Sequence, residues 1–377
     1  MNEKTQVEKD KEYMKFAIKL AKQGEGKVNP NPVVGAVVVK DDVIVGKGYH
    51  KVFGKAHAEV YALEEAGKLA RNATIYVTLE PCSHFGKTPP CAEKIIKMGI
   101  KRCVIGSNDP NPKVAGKGIE MLRAAGIEVT RNVLKEECDE LNQVFFKYIK
   151  SEIPYLFLKC GITMDGKIAL SNGVSKWITN EKAREKVQYY RNRFMGIMVG
   201  INTVLYDNPS LTARIENGVN PFRIIVDPNL KITEEYNVIK NNEDEKTIII
   251  TSVINKNNEK IKKIKKIEKN KKIKFIFLER KCFSMNDMLR EIGKQGIDSV
   301  LLEGGETLIS RAFSEKVIDG GEIFISNKIF GDNNAKSFVS GFAAENTDEV
   351  LTLDNIKYNV YDNNIGVEFY LKRYDER

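Results

Sequence analysis

The feature that most narrows what this chain can fold into is a set of three side chains far apart in sequence. They are His57 in His57-Ala58-Glu59, Cys82 after Pro81, and Cys91 nine positions later. One imidazole and two thiolates are borderline-to-soft donors that suit Zn²⁺, and three of them leave the fourth tetrahedral position open to water. A zinc ion held this way is catalytic: it brings the pKa of its bound water to about 7 and supplies hydroxide at neutral pH. Any fold must therefore bring residues 57, 82 and 91 together. Glu59, two residues from the histidine, is too close to reach round to the same ion and is placed to shuttle a proton. The ligands sit where loops enter predicted helices, and helix N-termini favour a thiolate.

The pattern resembles that of zinc deaminases, H-x-E followed by P-C-x-x-C, with one departure: eight residues, not two, separate Cys82 from Cys91. At 377 residues the chain is long enough for two or three domains, each with its own core. Hydrophobic residues at 42% and charged residues at 29% describe a soluble globular protein. Acids and bases throughout the first thirty residues leave no apolar signal-peptide region. No apolar run approaches the roughly 18 residues of a membrane helix. With Cys82 and Cys91 ascribed to metal, Cys103, Cys138, Cys160 and Cys282 read as buried free thiols, and a reducing cytoplasm is expected. The net charge of +9 suggests nucleic acid, but residues 256–274 hold ten Lys and two Glu, which is +8 of it. Ile261, Ile264 and Ile267 recur there at three-residue spacing, and no aromatics for base stacking stand in the run before Phe275. The segment reads as a short surface helix between two strands, with a solvated lysine face.

Apolar periodicity alternates helix and strand. Helices are expected over 11–23, from His57, from Cys91 through Met98, over 118–125 and, closing the first series, over 135–150. Strands are expected over 35–39, 43–46, 74–79, 103–106 and 127–130. Ser151-Glu152-Ile153-Pro154 reads as a junction, and a second α/β series follows. Its strands fall at 155–160, 197–199, 223–226, 247–251, 274–278, 299–302 and 322–325, with a helix over 181–193.

Two glycine-containing stretches in the second series invite a phosphate reading. Gly161-Ile162-Thr163-Met164-Asp165-Gly166-Lys167 fits part of a Walker A loop, but Ile168 stands where a hydroxyl is needed. No G-x-G-x-x-G follows a strand, so an ordinary Rossmann site is unsupported. Leu302-Glu303-Gly304-Gly305-Glu306-Thr307-Leu308 ends a strand in two glycines before a helix. It is either a tight turn or a backbone cradle for a pyrophosphate.

Together these residues resemble a known family. Asn31-Pro32-Val33-Val34-Gly35-Ala36-Val37-Val38, Gly54-Lys55-Ala56-His57-Ala58-Glu59 and the stretch Pro81 to Cys91 look like the riboflavin-biosynthesis pyrimidine deaminase, whose own pattern includes the eight-residue spacer. The stretches 159–167, 175–179, 200–214 and 303–305 look like its fused reductase. The resemblance implies a cytidine-deaminase-like three-layer domain over residues 8–150 and a dihydrofolate-reductase-like domain over 151–374. It implies Zn²⁺ and NADPH as cofactors, a pyrimidine ribotide as substrate, neither nucleic acid nor membrane as partner, and a homo-oligomer. That reductase fold binds NADP without the glycine fingerprint, in keeping with its absence here.

The resemblance also carries residue roles. Asn31, His50, His84 and Lys87 surround the deaminase substrate, so all three histidines fall in one site. Ser175, Arg191, Leu211, Arg214 and Glu303 line the reductase substrate, the two arginines as bidentate phosphate clamps. Gly161, Trp177, Thr203, Asp207, Ser252 and the loop Gly305, Glu306, Thr307 and Leu308 face NADP. Lys159 or Glu303 polarises or protonates the open-chain imine; the residues alone do not choose between them. A nucleic-acid base deaminase would share the zinc site without needing the second domain, and a structural zinc site would close with a fourth Cys or His.

Overall fold

The computed structural model describes all residues except 1–3, 84–88, 112–114, 268–271, 280–282, 342–344, 347–349 and 372–377, and no side chains over 265–267. It divides into two compact units, Met1–Glu152 and Ile153–Arg377.

In the first unit the order is α1 (Gln6–Ala21), β1 (Gly35–Lys40), β2 (Val43–Tyr49), α2 (Ala58–Ala66), β3 (Thr74–Leu79), α3 (Cys91–Lys97), β4 (Arg102–Ser107), α4 (Lys117–Ala124), β5 (Glu128–Thr130), α5 (Lys135–Leu141) and α6 (Gln143–Ser151). The strands form one sheet in the order β2-β1-β3-β4-β5. β1 runs antiparallel to β2 and β3, while β3, β4 and β5 are parallel. Alternation along the strands splits the core in two. Val37, Val39, Tyr76 and Val104 meet Met14, Ala17 and Leu20 of α1 and Cys138 of α5. Ala36, Val38, Ile75, Val77 and Ile105 meet Leu63, Ile95, Ile119 and Leu122 of α2, α3 and α4. The result is the expected three layers. Glycine is required where β1 and β2 cross their helices: a Cβ on Gly35 would stand 2.0 Å from Ala17 O, and one on Gly46 2.1 Å from Ala62 O.

One helix differs from the sequence reading. The span 135–150 is two helices, broken at Asn142, whose φ is −115°. Asn142 is 1% exposed, and its amide clamps the backbone of Val33: Oδ1 accepts from Val33 N at 2.8 Å and Nδ2 donates to Val33 O at 3.0 Å. A polar side chain bonded to a distant backbone outweighs helical continuity. Elsewhere the first strands and helices differ from expectation mainly at their ends, as cooperative elements fray.

In the second unit the order is β6 (Tyr155–Ile162), β7 (Lys167–Ala169), α7 (Glu181–Arg193), β8 (Gly196–Gly200), α8 (Ile201–Asp207), β9 (Phe222–Val226), α9 (Asn237–Lys240), β10 (Thr247–Ser252), α10 (Glu259–Ile267), β11 (Lys274–Leu278), α11 (Met285–Gly293), β12 (Ser299–Leu302), α12 (Glu306–Ser314), β13 (Gly320–Ile325), β14 (Lys336–Ser337), β15 (Lys357–Tyr361) and β16 (Asn364–Tyr370). Nine strands make one sheet in the order β11-β10-β9-β8-β12-β6-β13-β16-β15; β7 and β14 pair separately. From β11 to β13 the strands are parallel, and the β15–β16 hairpin adds an antiparallel edge. β12 inserts between β8 and β6, so the chain reverses direction across the sheet there, the kind of switch point at which open α/β sheets form ligand crevices. Gly161 and Ile162 belong to β6, so the Walker-like stretch is the end of a strand and a turn, not a phosphate loop. Within the lysine-rich segment Glu259–Ile267 forms α10, with Ile261 and Ile264 buried and Lys262 exposed, and residues 268–271 lie outside the described residues. Cys103, Cys138 and Cys160 are buried free thiols, and Cys282 lies outside the described residues. Among the described residues no helix is long and apolar enough to cross a membrane.

Replacing Asn142 by Ala leaves both Val33 backbone groups without their partner. An unfolding free energy lower by about 1–3 kcal/mol is expected, read by denaturant titration against the wild-type chain.

Candidate functional site

The first site is assembled at the ends of three elements. His57 is the N-cap residue of α2, Cys91 is the first residue of α3, and Cys82 follows β3. Their donor atoms all lie within 4.8 Å of one another. His57 Nδ1 is 3.3 Å from Cys91 Sγ and 3.6 Å from Cys82 Sγ. Tetrahedral zinc with Zn–S of about 2.3 Å and Zn–N of about 2.0–2.1 Å needs donors at about such separations, so the set fits that ion. The amide of Cys91 donates to Cys82 Sγ at 3.3 Å. That thiol is drawn down to about 4, first by the Cys91 thiol and then, against burial, by His57. His57 in turn is raised to about 9, chiefly by Cys82, and burial together with Cys82 pushes Cys91 up.

Glu59, on the first turn of α2, is 3% exposed, and its Oε2 is buried with no hydrogen-bond partner among the described residues. Burial pushes its carboxyl up. An orphaned carboxylate oxygen beside three metal donors fits a role as acceptor from a metal-bound water. His50 is 2% exposed and lies edge-on to His57, ring centroids 5.4 Å apart. Its Nδ1 is 3.0 Å from Ala56 O and its Nε2 is 3.2 Å from Asn31 Nδ2. These partners assign the proton to Nδ1 and make Nε2 an acceptor. Burial lowers its pKa, so it stays a neutral imidazole. Asn31 and His50 are brought together; His84 and Lys87 lie outside the described residues.

The second site is a cleft of about 910 Å³ at the carboxyl ends of β6, β8, β9 and β12. Ser175, Leu211, Arg214 and Glu303 line it, as do Gly161, Trp177, Thr203 and Asp207 and the loop Gly305 to Leu308. Glu303 is at its polar centre. Arg191, the eleventh residue of α7, donates to it through Nε at 2.8 Å and Nη2 at 2.9 Å, and Lys159 Nζ lies 3.7 Å away. Burial would raise the Glu303 carboxyl, but Arg191 and Lys159 overcome it and hold it at about 2. Two nitrogens of Arg191 are thus engaged by Glu303, its Nη1 donates to Thr212 O at 3.5 Å, and the residue lines the cleft. Arg214 is exposed on the same wall. Trp177 is 64% exposed, with the Arg184 guanidinium 4.6 Å from its ring centroid, so it is a surface platform rather than core.

Ser252 does not reach the cleft. It ends β10, one strand further out, and Pro228 and Asn229 after β9 line the wall instead. Its hydroxyl is buried, with no hydrogen-bond partner among the described residues. The sequence reading missed those two residues, because a loop leaving a strand carries no periodicity of its own, and it missed Thr179 and Gln188, which line the cleft from just before α7 and from within it. The loop before α12 suits an anionic group. Its N-cap residue Gly305 has no side-chain cap, and a Cβ there would meet nothing within 4 Å. The first-turn amides of α12 are thus free of a capping side chain.

These two sites define the class: a zinc-binding deaminase unit followed by a reductase unit with a nucleotide-sized cleft. Comparison with known proteins agrees. Residues 7–107 match the cytidine and deoxycytidylate deaminase zinc-binding region, and residues 154–366 match the RibD C-terminal domain. The chain is 42% identical over 344 residues to riboflavin biosynthesis protein RibD of Actinobacillus pleuropneumoniae, covering 91% of this chain and 90% of that one. It is 46% identical over 324 residues to RibD of Aquifex aeolicus, covering 86% and 88%. A solved Thermotoga maritima structure, titled a diaminohydroxyphosphoribosylaminopyrimidine deaminase/5-amino-6-(5-phosphoribosylamino)uracil reductase, superposes with a TM-score of 0.85 at 39% identity, covering 97% of this chain and 99% of that one. Acinetobacter baumannii RibD gives 0.87 at 33%, covering 98% and 100%. The chain belongs to the RibD family. It is a bifunctional enzyme of riboflavin biosynthesis, with a zinc-dependent deaminase and an NADPH-dependent reductase domain.

The low Glu303 pKa sets a pH signature. A carboxyl depressed from its ordinary 4.5 to about 2 adds stability that is present above pH 4.5 and lost as pH falls toward 2. Glu303→Gln is expected to destabilise the protein at pH 6, leaving the Arg191 charge buried without its partner. The gap from wild type should narrow steadily over that acid window, as read by urea unfolding at several pH values.

Proposed function

We propose that the substrate is 2,5-diamino-6-(5-phosphoribosylamino)pyrimidin-4(3H)-one, deaminated in the domain over residues 8–150 and then reduced from ribosyl to ribityl side chain in the domain over 151–374. The observation that carries this is the pairing, in one chain, of a three-donor metal cluster beside the orphaned Glu59 oxygen with a separate cleft built on Arg191–Glu303–Lys159. His57, Cys82 and Cys91 would hold a zinc ion, which when bound would supply hydroxide at neutral pH. Glu59 Oε2 accepts the water proton, and the same carboxyl delivers protons to the ring and the leaving amine. Neutral His50 accepts from Asn31 Nδ2 and so leaves the Asn31 carbonyl oxygen as an acceptor for the substrate's amino or ring N–H. His84 and Lys87 complete the substrate pocket by resemblance.

In the second site bound NADPH supplies the hydride. Held at about 2, Glu303 is an acceptor at neutral pH. Of the pair left open by the sequence, Lys159 is therefore the proton donor to the open-chain imine, and Glu303 orients its ammonium. Arg214 takes the substrate phosphate with Ser175 and Leu211 beside it. Gly161, Trp177, Thr203, Asp207 and the first turn of α12 with Glu306, Thr307 and Leu308 hold the dinucleotide. The ligand is a free nucleotide, not nucleic acid, since the separate reductase cleft has no use in an oligonucleotide enzyme. Free buried thiols support a reducing cytoplasm as its location. Exposed Tyr358 and Val360 on the edge strand β15 support a homo-oligomer.

Incubation with the diaminopyrimidine ribotide tests the reading. Mass analysis should show only the exchange of one amino group for an oxo group, water added and ammonia released, without NADPH, and a further gain of two hydrogens with it; an unchanged ribotide would contradict the substrate assignment. Cys82→Ala should lose zinc and ammonia release together. Glu59→Gln should keep its zinc while ammonia release falls about 10²–10⁴-fold; near-normal turnover would reassign the proton shuttle.

A further inference from the structure

Glu80 stands one residue past β3 and two before Cys82, is 4% exposed, and has no part in the chemistry above. Its carboxylate gathers backbone donors from one segment, the path from β4 into α4. Oε2 accepts from Gly116 N at 3.1 Å and, at the limit of hydrogen bonding, from Asp109 N at 3.5 Å. Oε1 accepts from Gly118 N at 3.2 Å. Its own amide donates to Ser107 O at 2.9 Å.

The same segment also presses on the turn directly. A Cβ on Gly118 would stand 2.0 Å from Pro81 O and 3.5 Å from Glu80 Oε1. Gly118 is glycine because the first turn of α4 lies against the Pro81 peptide, and that peptide leads into Cys82. Beyond Cys82, Ala92 N donates to Cys82 O at 3.2 Å, so α3 holds the turn from the other side. Cys82 is thus fixed between two helix starts, one of them tied down through Glu80. A carboxylate suits this place because both of its oxygens accept. Glutamine keeps the shape but turns an NH₂ toward backbone N–H groups.

We propose that Glu80 is a positioning residue for Cys82, tying the turn to the start of α4 so that the thiolate is held ready for the metal. The proposal rests on the reading of His57, Cys82 and Cys91 as the ligands. Groups behind a ligand commonly set metal affinity by about 10–100-fold, and that is the range expected here.

The test is zinc retention by the full-length holoenzyme titrated with a chromogenic chelator, with melting temperature and NADPH oxidation on the deaminated ribotide measured alongside. Glu80→Gln should bind zinc about 10–100-fold more weakly with normal NADPH oxidation. Gly118→Ala, which displaces Pro81 while leaving Glu80 intact, should weaken zinc in the same direction and serves if Glu80→Gln does not fold. Asp10→Asn is the structural comparison: Asp10 pairs with Arg102 in the same unit, away from the metal. It should lower the melting temperature without changing zinc affinity. Wild-type zinc affinity in both Glu80→Gln and Gly118→Ala overturns the proposal. So does an Asp10→Asn protein that loses as much zinc for the same loss of melting temperature. Cys82→Ala separates the two failures. If it keeps its zinc, the ligand reading falls and the proposal with it; if it loses zinc while Glu80→Gln does not, the role of Glu80 alone falls.

Discussion

Parallel strands must be joined by crossovers, and in both units the crossovers gather polar loops and helix starts at the carboxyl ends of the strands. In the first unit that edge receives Cys82 directly from β3 and Cys91 from the first residue of α3. In the second it receives Lys159 from β6, Glu303 from the end of β12 and the uncapped start of α12. The apolar interior on either side of each sheet makes those ends rigid, so donors distant in sequence meet within hydrogen-bonding range. The three metal donors, for instance, fall within 4.8 Å of one another although the chain between them forms a helix and a strand.

Two buried carboxylates show how similar burial gives different chemistry. Glu59 has an oxygen without a partner among the described residues, and burial raises its carboxyl, which suits a group that must take up and give back a proton. Glu303, slightly more open, is bonded twice by Arg191 and approached by Lys159, which hold it at about 2. It therefore orients a neighbouring ammonium instead of donating. The difference lies in the neighbours and not in the residue type.

Much of the metal site was legible because its residues are rare types in a fixed pattern: His57, Glu59, Cys82 and Cys91 need few neighbours to be recognised. The strands from Thr74 to Leu79, Lys274 to Leu278 and Ser299 to Leu302 were legible because β-branched and apolar runs bounded by polar residues leave little choice. The break at Asn142 was not, since its cause is a pair of hydrogen bonds to Val33, more than a hundred residues away. The β15–β16 hairpin was missed because its strands carry exposed Tyr358, Val360 and Ile365, which blur the alternation that marks a half-buried strand. The pairing of Arg191 with Glu303 was not legible, since the two residues stand on different elements more than a hundred positions apart. Ser252 ends β10, while Pro228 and Asn229 after β9 line the cleft, a difference of one strand that only the sheet order reveals.

The central claim is that two independent active sites act in series on one substrate. The most direct measurement uses full-length protein stripped of zinc and supplied with the already deaminated ribotide and NADPH. The account predicts NADPH oxidation at the rate of the zinc-loaded enzyme, with no ammonia released from the diamino ribotide in a parallel sample. If zinc removal halts NADPH oxidation on the deaminated substrate as completely as it halts ammonia release, the two sites are not independent and the account is wrong.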